Sequence, residues 1–258
     1  MTGGRWFKRG AALAICALSI AGCSVETNAQ PPDAAGTPAP ATSSLTPSEV
    51  ATPAAPQSTA STSVSGTALA ALAGLPVKGR APLTGYDREL FGPAWADVDR
   101  NGCDTRNDIL RRDLTAITYR PDSRDCVVAA GTLADPYSGR SISFVRGQQT
   151  SQAVQIDHVV SLSNSWQTGS FAWSADRRRT FANDPLNLLA VDGALNQQKS
   201  DGDAATWLPP DKSYRCAFVA RQVAVKAKYG LWVTAPERDA IARVLAACPT
   251  QDLPAGSR

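Results

Sequence analysis

The sequence predicts an α+β domain stapled by disulfides, and three observations carry that expectation. Short β-branched or apolar runs, such as Ala153–Val160 and Leu188–Val191, are interleaved with helical patterns from Asp104 onward. Two amphipathic helical stretches, Tyr214–Tyr229 and Pro236–Ala247, close the chain. Four cysteines (Cys103, Cys126, Cys216 and Cys248) fall in this part, and an even count in an exported domain reads as two disulfides.

The 258 residues divide unevenly. In residues 1–22, Arg5, Lys8 and Arg9 precede an apolar run, Ala11–Gly22, too short for a permanent membrane span and suited to the core of a signal peptide. The run ends Ser19-Ile20-Ala21-Gly22-Cys23, which resembles a bacterial lipobox. The resemblance implies cleavage before Cys23 and lipid on its sulfur, which would hold the protein at the outer face of the cytoplasmic membrane; the alternative is ordinary secretion with a chance cysteine. Residues 23–75 contain no Lys or Arg and are mostly Ala, Pro, Ser and Thr. Such a stretch cannot bury enough apolar surface to offset its ordering entropy, so it reads as a disordered tether, with Ala68–Ala73 a short helical lead-in. Residues 76–258 are then the folded domain, long enough for one sizeable core.

Within that domain Asp104 caps a helix running to Leu114, on which Ile109, Leu110 and Leu114 recur at helical spacing. Thr115–Tyr119 and Cys126–Ala130 read as strands around the turn Pro121-Asp122-Ser123, and Ser141–Val145 as another. Ala153–Val160 is a strand carrying Asp157 and His158. Ser174–Ala182 is a basic helix, Leu188–Val191 a short apolar strand, and Gly193–Lys199 a helix with Asp192 at its cap. The cysteines allow three pairings. The local ones, Cys103 with Cys126 and Cys216 with Cys248, are favoured: the first closes a helix onto a strand, the second clips two helices together. A Cys₄ zinc site would ordinarily use C-x-x-C pairs, and there are none.

Composition excludes several classes. The formal net charge is +3, too mild for a large DNA-coating surface though not for a local basic groove. A single histidine rules out any site that needs two from one chain. The folded part holds only Glu89 and Glu237 as glutamates, in contexts that do not suggest a glycosidase pair, and no G-x-S-x-G is present.

The informative residues lie between 155 and 200. Gln155-Ile156-Asp157-His158-Val159-Val160 puts the histidine after an acid on a strand; Asn183-Asp184-Pro185-Leu186-Asn187-Leu188-Leu189 enters a second strand; Asn196-Gln197-Gln198-Lys199-Ser200 lies on a helix. This order resembles the ββα-metal core of the HNH (His-Me finger) endonucleases, in particular secreted or lipid-anchored HNH proteins of actinobacteria. Arg177-Arg178-Arg179, Trp207-Leu208-Pro209-Pro210 and Asp104-Thr105-Arg106 extend the likeness. The fold it implies is an HNH core with an added N-terminal helix and hairpin and C-terminal helices.

The resemblance implies a metal-dependent endonuclease acting outside the cytoplasmic membrane, with DNA as its first candidate substrate and RNA as the second. His158 is then the general base that takes a proton from water, a role suited to a group titrating near neutrality. Asp157 and Asn196 are the ligands of one divalent cation, and two oxygen donors with open positions suit Mg²⁺ or Mn²⁺ better than Zn²⁺. Asn187 holds the loop and orients the base. Lys199, one turn beyond Asn196, contacts phosphate, as do Arg106, Arg177, Arg178 and Arg179. Adjacent strand residues point to opposite faces, so Asp157 and His158 can meet only if the strand ends, twists or bulges there. Asn196 stands where the family often has a second histidine, so metal affinity is expected to be weak. No protein partner is implied, and a monomer is expected. The alternative function is an HNH-fold lipoprotein that binds nucleic acid or an envelope component without cleaving.

Overall fold

The computed structural model describes residues 66–256. The leader, Cys23 and the tether up to residue 65 lie outside the described residues. The first element is helix α1 (Ala68–Ala73), and here the sequence expectation needs correction: it belongs to the folded domain. Ala68 and Leu72 are buried in the core that also contains Val219, Val223, Ile241 and Leu245. The Ala68 amide donates to the Gln251 carbonyl at 2.7 Å, and Thr67 forms a bridge with Asp252. Six alanines and leucines carry too little apolar surface to announce a core helix; the partner that covers them comes from the far end of the chain.

Helix α2 (Thr105–Asp113) starts where its cap dictates, with the Asp104 carboxylate accepting from the Asn107 amide at 2.8 Å. It leads directly into an antiparallel sheet of β1 (Leu114–Tyr119), β2 (Val128–Ala134) and β3 (Ser141–Val145), in that order. Strand β2 runs further than its sequence suggests, because Leu114 pairs with Leu133 on one side and Ser141 with Ala134 on the other. Cys103 and Cys126 are bonded across the start of α2 and this hairpin.

Strand β4 (Val154–His158) pairs antiparallel with β5 (Leu188–Asp192), setting Asp157 opposite Leu189 and His158 opposite Leu188. The long connection between them holds α3 (Leu162–Gln167) and α4 (Ala175–Ala182). Helix α3 has no apolar stripe in sequence; it is set by the Ser161 cap and by Leu162 and Trp166, one turn apart and buried. Every residue of β5 is buried because the strand serves two cores. Leu188 and Ala190 pack with Ile109, Leu110 and Phe144, while Leu189 and Val191 pack with Tyr137, Phe218 and Val219.

Helix α5 (Gly193–Lys199) follows β5 without a loop. Asp192 caps it by accepting from the Ala194 and Leu195 amides. A side chain at Gly193 would collide with the Gln152 carbonyl, so this junction requires glycine. Helix α6 (Arg215–Tyr229) stops at Gly230, which takes the left-handed φ of 63°. Helix α7 (Ala235–Ala246) begins with a reciprocal Thr234–Glu237 capping box. The Cys216–Cys248 disulfide ties the start of α6 to the end of α7. Among the described residues no helix is long and apolar enough to cross a membrane.

Candidate functional site

β4, β5 and α5 form a strand–strand–helix unit, and the residues singled out by sequence sit on it. Asn187 is fully buried and braces the exit of β4 through three bonds. Its carbonyl accepts from the Val159 amide at 2.8 Å, its Oδ1 accepts from the Val160 amide at 2.9 Å, and its Nδ2 donates to the Val160 carbonyl at 3.1 Å. Asp184 steadies the approach: its Oδ1 accepts from the Leu186 amide and its Oδ2 from the Tyr229 hydroxyl at 2.7 Å.

His158 is the last residue of β4, and its Nε2 lies 2.8 Å from the Ala182 carbonyl. A carbonyl only accepts, so Nε2 carries the proton and Nδ1 keeps the lone pair. Burial pulls the imidazole pKa down to about 4 against the support of the Ala182 carbonyl and the Asp157 charge, so the ring is neutral at pH 7. A neutral imidazole with a free nitrogen is the form a general base needs.

Asp157 points to the other face of the strand. Its Oδ1 accepts from Lys199 Nζ at 2.9 Å and its Oδ2 from the Tyr137 hydroxyl at 2.5 Å. Burial, then the Asp157 charge, raises the Tyr137 pKa well above its ordinary value, keeping the phenol a donor. Lys199 also donates to the His158 carbonyl at 3.0 Å. Lys199 thus differs from the expectation of a phosphate contact: its side chain has no exposed surface, because α5 packs it into the core against Asp157.

His158 lines two clefts, and a third adjoins them. One, of about 260 Å³, is lined by Asp157, His158, Asn196, Ser161 and Asp201. Another, of about 420 Å³, is lined by Arg106, Trp95, Gln155 and Asn196. The third, of about 560 Å³, is lined by Phe91, Trp95, His158 and Asn183. Arg88 lines all three. Arg106 lies over the Phe144 ring at 5.7 Å and faces this region.

The donor set for a cation can be tested on these contacts. Asn196 gives its Nδ2 to Gln155 Oε1 at 2.8 Å, which leaves Oδ1 as its remaining donor atom for a cation. Each Asp157 oxygen accepts one bond and keeps a further lone pair. Among the described residues no group of three or more His, Cys, Asp or Glu side chains could hold a metal. Two hard oxygen donors, one of them shared with an ammonium, fit a hard divalent cation held weakly, with water or phosphate completing its shell.

A protein-family model described as "GmrSD restriction endonucleases, C-terminal domain" matches residues 104–244, more than half of the chain. The chain belongs to this family. Among curated proteins it is similar to an "Uncharacterized secreted protein" of Arthroderma benhamiae, 36% identical over 184 residues, covering 70% of this chain and 85% of that protein. No solved structure matches. The restriction-endonuclease family match contains Arg106, Asp157, His158, Asn187, Asn196 and Lys199, whereas Arg88 and Trp95 precede it.

The Arg177–Arg179 run on α4 makes its hydrogen bonds and ion pair within the protein. None of the three lines a cleft around His158. Arg177 donates to the Tyr229 carbonyl at 2.8 Å and lies over the Trp173 ring. Arg178 donates to the Leu90 and Trp173 carbonyls, and Arg179 pairs with Asp176 one turn back. These guanidiniums tie α4 to its neighbours or to itself. Conversely, the sequence pattern gives no role to Asn183 within its motif and does not single out Arg88, Trp95 or Tyr137. No motif marks Arg88, Trp95 or Tyr137; they reach the site only through long-range packing.

Proposed function

We propose that the protein is a nucleic-acid phosphodiesterase, an endonuclease of the HNH type with DNA as its first candidate substrate. The observation that carries this reading is His158: neutral, fixed through Nε2 by the Ala182 carbonyl with Nδ1 left unprotonated, and lining a cleft with Arg88, beside a second cleft that Arg88 and Arg106 line. The restriction-endonuclease family supports it. His158 takes the proton of the attacking water onto Nδ1. The Ala182 carbonyl and the Asp157 carboxylate then stabilise the imidazolium. Arg88 and Arg106 bind the substrate phosphates and orient the chain without reading sequence. A divalent cation, Mg²⁺ or Mn²⁺, held by Asp157 and Asn196, would neutralise charge on the phosphate and its leaving oxygen. Asn187 fixes the end of β4 and so the position of the base.

The same proposal places the protein outside the cytoplasmic membrane. Residues 1–22 would direct export, Cys23 would carry the lipid, and the chain up to residue 65 would be the tether. Two disulfides in the domain fit an oxidising compartment, and the Arthroderma relative is named as secreted. Release of a Cys23→Ser variant into the medium, with the wild type retained in the membrane fraction, is the expected result. Equal retention of both overturns the anchor.

The deciding experiment incubates the purified protein with plasmid DNA and single-stranded RNA in Mg²⁺, Mn²⁺ or EDTA, beside His158→Ala and Asn196→Ala. The reading expects cleavage that is lost in EDTA and in both variants. Cleavage that survives His158→Ala overturns it, and a folded protein that binds but never cleaves transfers the assignment to a non-cleaving binder.

A further inference from the structure

The cleft of about 560 Å³ beside His158 differs in character from the other two. Its walls include Phe91, Leu162, Pro93 and the Trp95 ring, so it is largely apolar and of a size that takes a small planar ligand. The Trp95 and His158 rings lie within 15° of parallel, with centroids 6.1 Å apart. Trp95 adopts a left-handed φ of 59°, unusual for an aromatic residue. That backbone is held by the Thr105 amide on the Trp95 carbonyl and by Thr105 Oγ1 on the Ala96 carbonyl at 2.6 Å.

One polar group in this wall is unsatisfied. Asn183 is 1% exposed, its Nδ2 donates to the Arg179 carbonyl at 2.9 Å, and its Oδ1 has no hydrogen-bond partner among the described residues. A buried acceptor left empty costs free energy, and a ligand N–H would satisfy it.

We propose that this cleft receives one unpaired nucleobase adjacent to the scissile phosphate, stacked on Trp95 and donating an exocyclic amino group to Asn183 Oδ1. The proposal rests on the nuclease reading for the presence of nucleic acid at His158. Arg88, on the rim, would hold the phosphate of the same nucleotide. Cytosine and adenine present the required exocyclic amine on their pairing edges; thymine and uracil have none, and their one donor on that edge, the ring N3–H, is recessed between two carbonyls that would face the Asn183 oxygen. A base in a duplex cannot enter without leaving its stack, so single-stranded or locally unpaired substrate is favoured over intact duplex. The loop that supplies Trp95 and Arg88 precedes the family match, whereas Asn183 lies within it.

The test is fluorescence anisotropy with the whole protein and labelled 12-mers of dC, dA and dT and a dC·dG duplex, in EDTA to suppress cleavage. The expected order is dC and dA above dT by several-fold, with the duplex weakest. Trp95→Ala is expected to weaken dC binding about tenfold, the scale of one lost base–aromatic stack, and Trp95→Phe to restore most of it. Equal binding of dC and dT by the wild type overturns the proposal without any variant. So does a folded Trp95→Ala protein that binds dC as tightly as the wild type. Plasmid cleavage is measured in parallel: cleavage without base preference removes this inference alone, and preference without cleavage removes the nuclease reading alone.

Discussion

Lys199 Nζ lies 2.9 Å from Asp157 Oδ1; the lysine side chain is wholly buried and the aspartate reaches solvent only at the cleft it lines. The pair joins α5 to β4 directly beneath the residue read as the general base. Removing one member leaves an uncompensated charge in the core, which costs about 3–5 kcal/mol. Lys199→Met is therefore expected to lower stability by that amount in urea unfolding. The Asp157→Asn, Lys199→Met double variant should recover part of the loss, since no bare charge remains. A double variant as unstable as the sum of the singles would show that the two residues act independently.

His158 predicts a pH dependence of known sign. Its folded-state pKa is about 4, below the ordinary 6.5, because burial disfavours the imidazolium. The unfolded chain therefore takes up this proton first as pH falls. The contribution is fully present above pH 6.5 and is lost progressively down to about pH 4, amounting to about 3 kcal/mol. Unfolding free energies at pH 7 and pH 4.5 should differ less in His158→Gln than in the wild type. An unchanged difference would mean that the imidazole is not buried as described.

Catalysis provides a separate check on the same residue. Loss of a general base costs about 10²–10⁴-fold in rate. His158→Ala should fall in that range for nicking of plasmid DNA, and Asn187→Ala should fall too through misplacement of the β4 exit, with a larger loss of stability. The acid limb of the wild-type rate profile should lie below pH 6, since the base stays unprotonated down to about pH 4.

Arg177→Ala and Arg178→Ala are expected to behave as stability variants. Each removes hydrogen bonds to backbone carbonyls and a ring contact, so the melting temperature should drop while the KM for DNA stays near the wild-type value. Arg88→Ala and Arg106→Ala should do the reverse. A rise in KM confined to the α4 variants would restore the helix as a substrate surface.

Gly193 offers the sharpest test of the strand–strand–helix unit. Alanine there meets the Gln152 carbonyl, so Gly193→Ala should destabilise the protein despite the better helix propensity of alanine. A neutral or stabilising effect in thermal unfolding would show that the 150–153 turn can yield.

The sequence carried the local elements well where the signal is local. Asp104, Ser174 and Asp192 each mark a helix start by a side chain that accepts the amide of its own first turn. Leu188–Val191 reads as a buried strand because both of its faces are apolar. The two disulfides join segments close in sequence, which is why the local pairing could be favoured. What sequence could not carry depends on partners far away. Lys199 looks like a solvated lysine until Asp157 and Tyr137 are seen beside it. Arg177 and Arg178 look like a basic face until the Tyr229, Leu90 and Trp173 carbonyls are found under them. Arg88 and Trp95 carry no pattern at all, and only the closure of residues 87–95 against His158 and α4 gives them a place.

The clasp between the two ends of the domain, α1 held by Gln251 and Asp252, sets an order of events during synthesis. The first helix has no surface to rest on until α6 and α7 exist, and its backbone contacts wait for almost the last residues. Contacts of such sequence separation form late and slowly. The core that α1 shares with α6 and α7 is therefore completed only after the C-terminal residues are free.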